Sequence, residues 1–370
     1  MRITIDISQL TYPNTGVAVY TSQLAKYLLA IDKTNEYILF GNSLRSRSTL
    51  DKFYFDCSNN RTNVSKRFYP IPQSILQILW NQVHLANIEL FTGEIDIFHS
   101  SDWVEPPAKA KKVTTVHDLL IYKYPEYIHP HIVANQKRKL EWVKKESQLI
   151  IADSQSTKND IIEYLKIPEG KIRVVYLGIN DQFKPQTKEK IDVVKKKYHL
   201  PTDYILSIGT QEPRKNINRV IEAYRMLNKN DVHLVIVGRY VWGEKPKETH
   251  NIHFLESVEY VDLPSFYAGA QCFVYPSLYE GFGLPILEAM ACYCPVATSK
   301  RGSLNEIVGK SVILVEPEEV ESIAAGINKI IDGNKSIIDE LVIRAAAWAK
   351  QFSWEKTAKQ TLKVYKEVLS

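Results

Sequence analysis

Short apolar runs rich in β-branched residues alternate with segments of helical period along the whole chain, and this alternation restricts the fold more than any other feature. Each run followed by a helix reads as a βα unit of a mostly parallel sheet covered by helices. In the first half the pattern predicts strands at 3–7, 37–40, 95–99, 112–116, 149–152 and 172–175, with helices at 17–30, 73–90, 131–146 and 156–165. Ser154 is placed to cap the last of these helices. A charged stretch with a proline near each end, 180–201, carries no strand and ends the first series. The pattern restarts at Tyr204–Ile208 and continues with strands near 232–237, 252–254, 272–275, 296–298 and 312–314. Helices are expected at 187–198, 216–227, 263–268, 285–291, 317–331, 335–350 and 354–369. The expected fold class is therefore α/β: two Rossmann-like, doubly wound domains facing across a cleft at their strand C-terminal ends, where open α/β sheets bind ligands. The predicted domains are residues 1–184, residues 185–350, and a C-terminal helix, 351–370, that packs back on the first domain.

Composition narrows the function classes. A chain of 370 residues exceeds one ordinary core, and 45% hydrophobic with 24% charged residues excludes a disordered or fibrous protein. A net charge of +5 without a dense Lys/Arg stripe suits small anionic ligands and argues against a nucleic-acid partner. Three of the four cysteines, Cys272, Cys292 and Cys294, stand in apolar stretches and read as buried reduced thiols. The start, Met1 to Ile7, lacks the apolar core of a signal peptide, so a cytoplasmic setting is expected. No run approaches the ~20 apolar residues of a bilayer span, so any membrane association is expected to be peripheral. No Gly-x-Gly-x-x-Gly follows the first strand, which argues against a dinucleotide site.

Two stretches of the second half carry chemistry. Pro276 to Ala291 leaves a strand, passes a turn holding Glu280, Gly281, Phe282 and Gly283, and enters a helix at Pro285. Glycines there let backbone approach a ligand, and the helix start suits phosphate or oxyanion charge; a plain strand-to-helix connection is the bland alternative. Glu288 lies about one helical turn inside. Ser207 to Asn216 leaves the first strand of the second half and sets Arg214 beside Lys215. Adjacent cations at a helix start gain nothing from the dipole, and an anion between them removes their repulsion.

In the first half, Thr11 to Tyr20 opens a helix at Gly16, and Val113 to Leu119 ends a strand in His117-Asp118. Either is equally readable as ordinary structure. The groupings His129/His131 and His250/His253 lack the partners of a metal site, and no metal is expected. Trp103 is a loop candidate for stacking on a sugar, whereas Trp80, Trp142 and Tyr279 read as packing residues. Basic clusters at Lys109–Lys112, Lys137–Lys139 and Lys144–Lys145 are either a solvated face or an attraction to anionic lipid. The apolar segment 73–90 is read either as core or as an interfacial helix.

The spacing of Glu280 and Glu288 around Gly-Phe-Gly-Leu-Pro resembles the family 4 retaining glycosyltransferases of GT-B fold, and the resemblance covers nearly the whole chain. It implies transfer of a hexose, with retention and without a metal cofactor, from a nucleotide diphosphate sugar to a saccharide or lipid-linked saccharide acceptor. It places Glu280 and His117 near the donor sugar and Glu288 on the nucleotide ribose. Gly16, Gly281, Phe282, Gly283 and Leu284 border the donor, and Arg214 and Lys215 meet the leaving diphosphate. Two departures stand out: Thr210 follows Gly209 where an arginine is common, and Ala18 replaces a usual second glycine. The Glu-Pro-Arg-Lys-Asn stretch is similar to that of mannosyltransferases making bacterial surface polysaccharides, which favours a GDP-mannose-like donor, with UDP-hexoses next. An anionic membrane surface is a further candidate partner. A nucleotide-sugar epimerase and a non-catalytic nucleotide-sugar-binding protein of the same fold are the rival readings.

Overall fold

The computed structural model describes residues 1–13, 15–58, 61–229, 231–240 and 250–370. The chain divides into two compact units, Met1–Gly178 with Trp354–Ser370, and Ile179–Ser353. The division falls six residues before the sequence-based boundary at 184. Its physical reason is local: Ile179 pairs with Ser353 and its N–H donates to the Phe352 carbonyl at 3.1 Å, while Phe183 packs edge-on against Tyr260 and Tyr267. The same pairing keeps 351–353 in the second unit, so only Trp354 onward returns to the first.

Among the described residues the first unit holds a seven-stranded parallel sheet: β1 (Arg2–Asp6), β2 (Glu36–Asn42), β3 (Val64–Tyr69), β4 (Ile97–Ser100), β5 (Lys111–Val116), β6 (Leu149–Ala152) and β7 (Ile172–Val174). Their order is β3-β2-β1-β4-β5-β6-β7. Helices cover both faces, which is why central strands read as continuous apolar runs; Ile150, Phe98 and Ile3 are almost wholly buried. The strand that sequence reading omits, β3, reads Val-Ser-Lys-Arg-Phe-Tyr. It lies at the sheet edge, where polar residues are tolerated.

The segment 73–90 is not one helix. Gln73–Leu76 is a single α-turn, Gln77–Gln82 is π-helical, and Glu89–Thr92 is another short turn. His84 and Ala86 between them hold left-handed backbone, φ 56° and 66°. Its apolar residues also divide: Leu76, Trp80 and Ile88 enter the core with Phe40 and Phe98, whereas Ile75, Ile78, Val83 and Leu85 face outward.

The second unit holds β8 (Tyr204–Ile208), β9 (His233–Val237), β10 (Ile252–Leu255), β11 (Cys272–Tyr275), β12 (Val296–Ser299) and β13 (Ile313–Val315), ordered β10-β9-β8-β11-β12-β13. Ile205, Leu234, Ile236 and Val274 pack there against Val220, Ile323 and Ile327 of the helices Ile217–Met226 and Val320–Ile331. In each sheet the chain reverses its direction of winding once, between β1 and β4 and between β8 and β11. Loops leaving strand C-terminal ends diverge at such points and leave a crevice.

Candidate functional site

The loop after β8 and the loop after β11 meet at the reversal point of the second sheet. Leu278 N–H donates to the Arg214 carbonyl at 2.8 Å. Asn216, left-handed at φ 63°, donates its amide to the carbonyls of Pro276 and Pro317. Pro213–Lys215 is a 3-10 turn, and the following helix begins at Ile217. Gly209 and Gly238 close the other side; a Cβ on Gly238 would stand 1.9 Å from the Gly209 carbonyl oxygen, so only glycine permits this approach.

These loops bring Glu280, Arg214 and Lys215 into one buried cluster. Arg214 donates through Nη1 to Glu280 Oε2 at 2.8 Å, and Lys215 Nζ donates to Glu280 Oε1 at 2.6 Å. Lys215 also donates to the Tyr275 hydroxyl, which in turn donates to Glu280 Oε1 at 2.9 Å. Arg214 reaches Glu212 at 2.8 Å, and Thr210 donates to that same carboxylate at 2.9 Å. The anion between the adjacent cations is thus the chain's own Glu280. Burial alone would raise the Glu280 pKa, but the charges of Arg214 and Lys215 outweigh it and hold the carboxyl at about 2. Lys215 is lowered by burial and by Arg214, with Glu280 opposing.

The turn that follows is shaped by Gly283, whose φ of 108° belongs to glycine, and whose Cβ would lie 2.6 Å from Leu304 Cδ2. Ser303 donates to the Glu280 carbonyl at 2.6 Å, Phe282 is buried edge-on to Phe352, and Gly281 is buried within the turn. The helix Leu284–Ala291 starts directly behind Gly283 and carries Glu288 inward, where Tyr267 donates to its Oε2 at 3.0 Å. Burial, only partly offset by that bond, pushes the Glu288 carboxyl up to about 7. The two glutamates of the motif therefore stand in opposite charge environments.

The first unit gathers a second polar group at its own reversal point. His117 follows β5 and shares a 2.6 Å hydrogen bond between Nδ1 and Asp153 Oδ2. Burial would lower the imidazole pKa, but the Asp153 charge and hydrogen bond raise it above the ordinary histidine value. Tyr20 sits edge-on to His117 at 4.6 Å and shares a 2.7 Å bond with Thr115, which His99 also contacts. Asp6, Tyr20, His99, Asp102 and His117 line a pocket of about 20 Å³, room for one water. Gly16 begins the helix Gly16–Ile31; Thr15 caps it by accepting from Ala18 N–H at 3.2 Å, and the space beside Gly16 is open. Trp103 stacks on Tyr12 at 5.6 Å.

Sequence reading missed Tyr275, Tyr267 and Asp153. Tyr275 ends β11 five residues before Glu280, a closeness that could have found it; Tyr267 and Asp153 reach their partners across 21 and 36 residues. The histidine groupings have structural roles. His129 caps the helix Pro130–Glu146 and His253 bonds His233 at 2.7 Å. Among the described residues no three His, Cys, Asp or Glu side chains gather to hold a metal, and no helix is long and apolar enough to cross a membrane. The basic clusters are only partly surface features, since Lys112 and Lys139 are buried.

Known proteins share this architecture. The family model "Glycosyl transferases group 1" matches residues 187–367, and "Glycosyltransferase Family 4" matches residues 14–183. The O-antigen chain mannosyltransferase B of Escherichia coli is 32% identical over 99% of this chain and 100% of its own. The crystal structure of Anabaena HepE in complex with UDP-glucose superposes with a TM-score of 0.74 at 18% identity, covering 99% of this chain and 100% of that one. Sucrose-phosphate synthase of Thermosynechococcus elongatus gives 0.74 at 18% identity, covering 100% and 99%. These structural likenesses show the fold, two Rossmann-like domains of GT-B type.

Proposed function

The chain belongs to the family 4 glycosyltransferases, and from that premise we propose that it moves a hexose, with retention and without a metal, from a nucleotide diphosphate sugar to a saccharide or lipid-linked saccharide in surface polysaccharide biosynthesis. The observation that carries the reading is the Glu280–Arg214–Lys215 cluster beside the start of the helix Leu284–Ala291. Cleaving a sugar–diphosphate bond develops negative charge on the leaving group, and preorganised cations with a helix N-terminus stabilise it. Arg214 supplies a planar fork and Lys215 a point charge. In the resting protein Glu280 pairs with both cations and Glu212 pairs with Arg214 as well, so the two positive charges are balanced without ligand. When the diphosphate arrives it takes over their charge, and Glu280 is released to accept from a hydroxyl of the donor sugar.

His117, oriented by Asp153, is the proposed partner of another sugar hydroxyl, and Gly16 brings backbone near the donor phosphates. Glu288 binds the ribose. The mannosyltransferase relative supports a mannosyl donor and an O-antigen-type product, and the resemblance of the Glu-Pro-Arg-Lys-Asn stretch favours GDP as its nucleotide; the HepE complex supports a UDP-hexose as the other donor class. An anionic membrane surface is the proposed setting for a lipid-linked acceptor.

Thermal melting of the purified chain with GDP, UDP, ADP and NAD, each with chelator and again with magnesium, tests the donor assignment. A nucleoside diphosphate at 100 times its Kd adds ~2.7 kcal/mol of stability. Stabilisation by GDP or UDP despite chelator is expected, followed by sugar transfer from the matching donor with the anomeric configuration read by NMR. Stabilisation by NAD alone, or an inverted product, overturns the reading.

A further inference from the structure

Tyr275 ends β11 with its hydroxyl between Lys215 and Glu280, and the sheet itself fixes that place. It pairs with Thr298 in the β11–β12 register, and the Thr298 hydroxyl donates to the Tyr275 carbonyl at 2.8 Å. The ring stacks on Phe273 with 5.6 Å between centroids and 22° between planes, and Tyr275 is 2% exposed. Lys215 Nζ lies 5.0 Å from the Tyr275 ring centroid.

Chemistry fixes the direction of the hydrogen bonds here. An ammonium has three donors and no acceptor, so the 2.5 Å contact between Lys215 Nζ and the Tyr275 hydroxyl uses a lone pair of the hydroxyl. The phenolic hydrogen is left for Glu280 Oε1, 2.9 Å away. Burial, with the Glu280 charge beside it, pushes the Tyr275 hydroxyl well above the ordinary tyrosine value, so this hydrogen stays in place near neutral pH. The result is a one-way chain from Lys215 through Tyr275 to Glu280. Arg214 and Lys215 donate to the same carboxylate, with the Ser277 hydroxyl beside it. A diphosphate competes for the two cations but not for a neutral hydroxyl that has already given its hydrogen. The Glu280 side chain is 9% exposed, and a charge so buried is costly without a donor.

We propose that Tyr275 is a positioning residue for transfer, whose hydroxyl holds the Glu280 carboxylate toward the donor sugar once the diphosphate has drawn Arg214 and Lys215 to itself. The inference rests on the transfer reading and adds to it a residue that touches neither sugar nor phosphate.

Tyr275→Phe tests it, because the change removes the hydroxyl and keeps the ring. Cleavage of GDP-mannose or UDP-glucose, whichever the parent uses with an oligomannoside acceptor, should lose about 10–100-fold in kcat, the worth of a hydrogen bond to a charged group. The donor KM and the calorimetric Kd of GDP or UDP should stay within about threefold of the parent's, because Arg214 and Lys215 still hold the diphosphate. Counting sites by the calorimetric stoichiometry keeps any unfolded fraction out of kcat. The acid limb of the kcat profile should move to higher pH, since charged Glu280 loses one donor while Arg214, Lys215 and Ser277 still face it. In a Glu280→Gln background the same change should cost less than about threefold more, because both residues act by one route. Unchanged kcat, a loss of nucleotide affinity equal to the loss of kcat, or losses that multiply in the double variant would each overturn the inference. A parent that cleaves neither donor overturns the transfer reading and this inference with it, whereas a competent parent with an unimpaired Tyr275→Phe variant overturns this inference alone.

Discussion

Glu280 is held between two nearly buried cations, so its removal should show itself twice. Glu280→Gln leaves Arg214 and Lys215 without a shared counter-ion and should destabilise the second unit by about 3–5 kcal/mol, the range for breaking a buried pair. If the same cations hold a diphosphate, that ligand then relieves their repulsion, and the melting shift from GDP or UDP should be larger in the variant than in the parent. Lys215→Ala should reverse this, weakening diphosphates while leaving the nucleoside unaffected; an equal shift in all three proteins would detach the cluster from the diphosphate. Glu288 makes a prediction about pH. Burial lifts its carboxyl to about 7, well above the ~4.3 of an unfolded glutamate. Its neutral form suits the fold, so its contribution to stability is complete below the unfolded pKa and is lost as pH rises through about 7. A ribose hydroxyl donating to Glu288 favours the charged form instead. Affinity for a nucleotide sugar should therefore increase as pH rises through about 7, and calorimetry on Glu288→Gln should find that rise gone. A variant with the parental pH profile would remove Glu288 from the ribose.

At the scale of elements, the turn between Glu280 and the helix Leu284–Ala291 is set by backbone conformation more than by side chains. Gly283→Ala puts an L-residue at φ 108° and a methyl 2.6 Å from Leu304, and should cost about 2–4 kcal/mol by strain and overpacking together. Gly16→Ala meets open space at a helix start and should leave the melting temperature within a degree or two of the parent's. Any loss of nucleotide affinity in that variant would then report close ligand approach. Sequence reading fares differently across the elements for the same kind of reason. Central strands such as β6 and β11 are buried on both faces and announce themselves as apolar runs, whereas edge strand β3 carries Ser-Lys-Arg and does not. In 73–90 the apolar residues belong half to the core and half to the surface, so their spacing imitates one helix across a π-turn and two left-handed residues. The motif loops are legible because Glu280, Gly283 and Glu288 are close in sequence. Asp153 beneath His117 is not, because only the order of β5 and β6 in the sheet brings it there.

At the scale of the molecule, the chain makes its first unit from both of its ends. The helix Trp354–Leu369 packs on the helix Gly16–Ile31, and Trp354, Ala358, Val364 and Tyr365 are buried there. The Tyr365 hydroxyl shares a 2.6 Å bond with His99 Nδ1, and Thr357 donates to the Tyr176 carbonyl at 2.8 Å. His99 in turn contacts Thr115, which also bonds Tyr20 beside His117, so the last helix supports the polar group at the first unit's reversal point. Burial drives the His99 pKa down to about 3, so this support is a neutral hydrogen-bonded chain that does not titrate near neutral pH. A chain ending at Ser353 keeps every strand of both sheets yet should lose the first unit. Trp354 and Tyr365 alone contribute about 3–5 kcal/mol each by the cost of emptying large aromatic sites, against about 5–15 kcal/mol for a whole domain. The second unit retains all its own contacts and should melt as before. Limited proteolysis of the shortened protein should therefore cut throughout 1–178 while sparing 179–353, and the melt stabilised by GDP or UDP should persist, because Arg214, Lys215, Glu280 and Glu288 lie in the surviving unit. Protection of 1–178 equal to that of the full chain would mean that the first unit folds without its last helix.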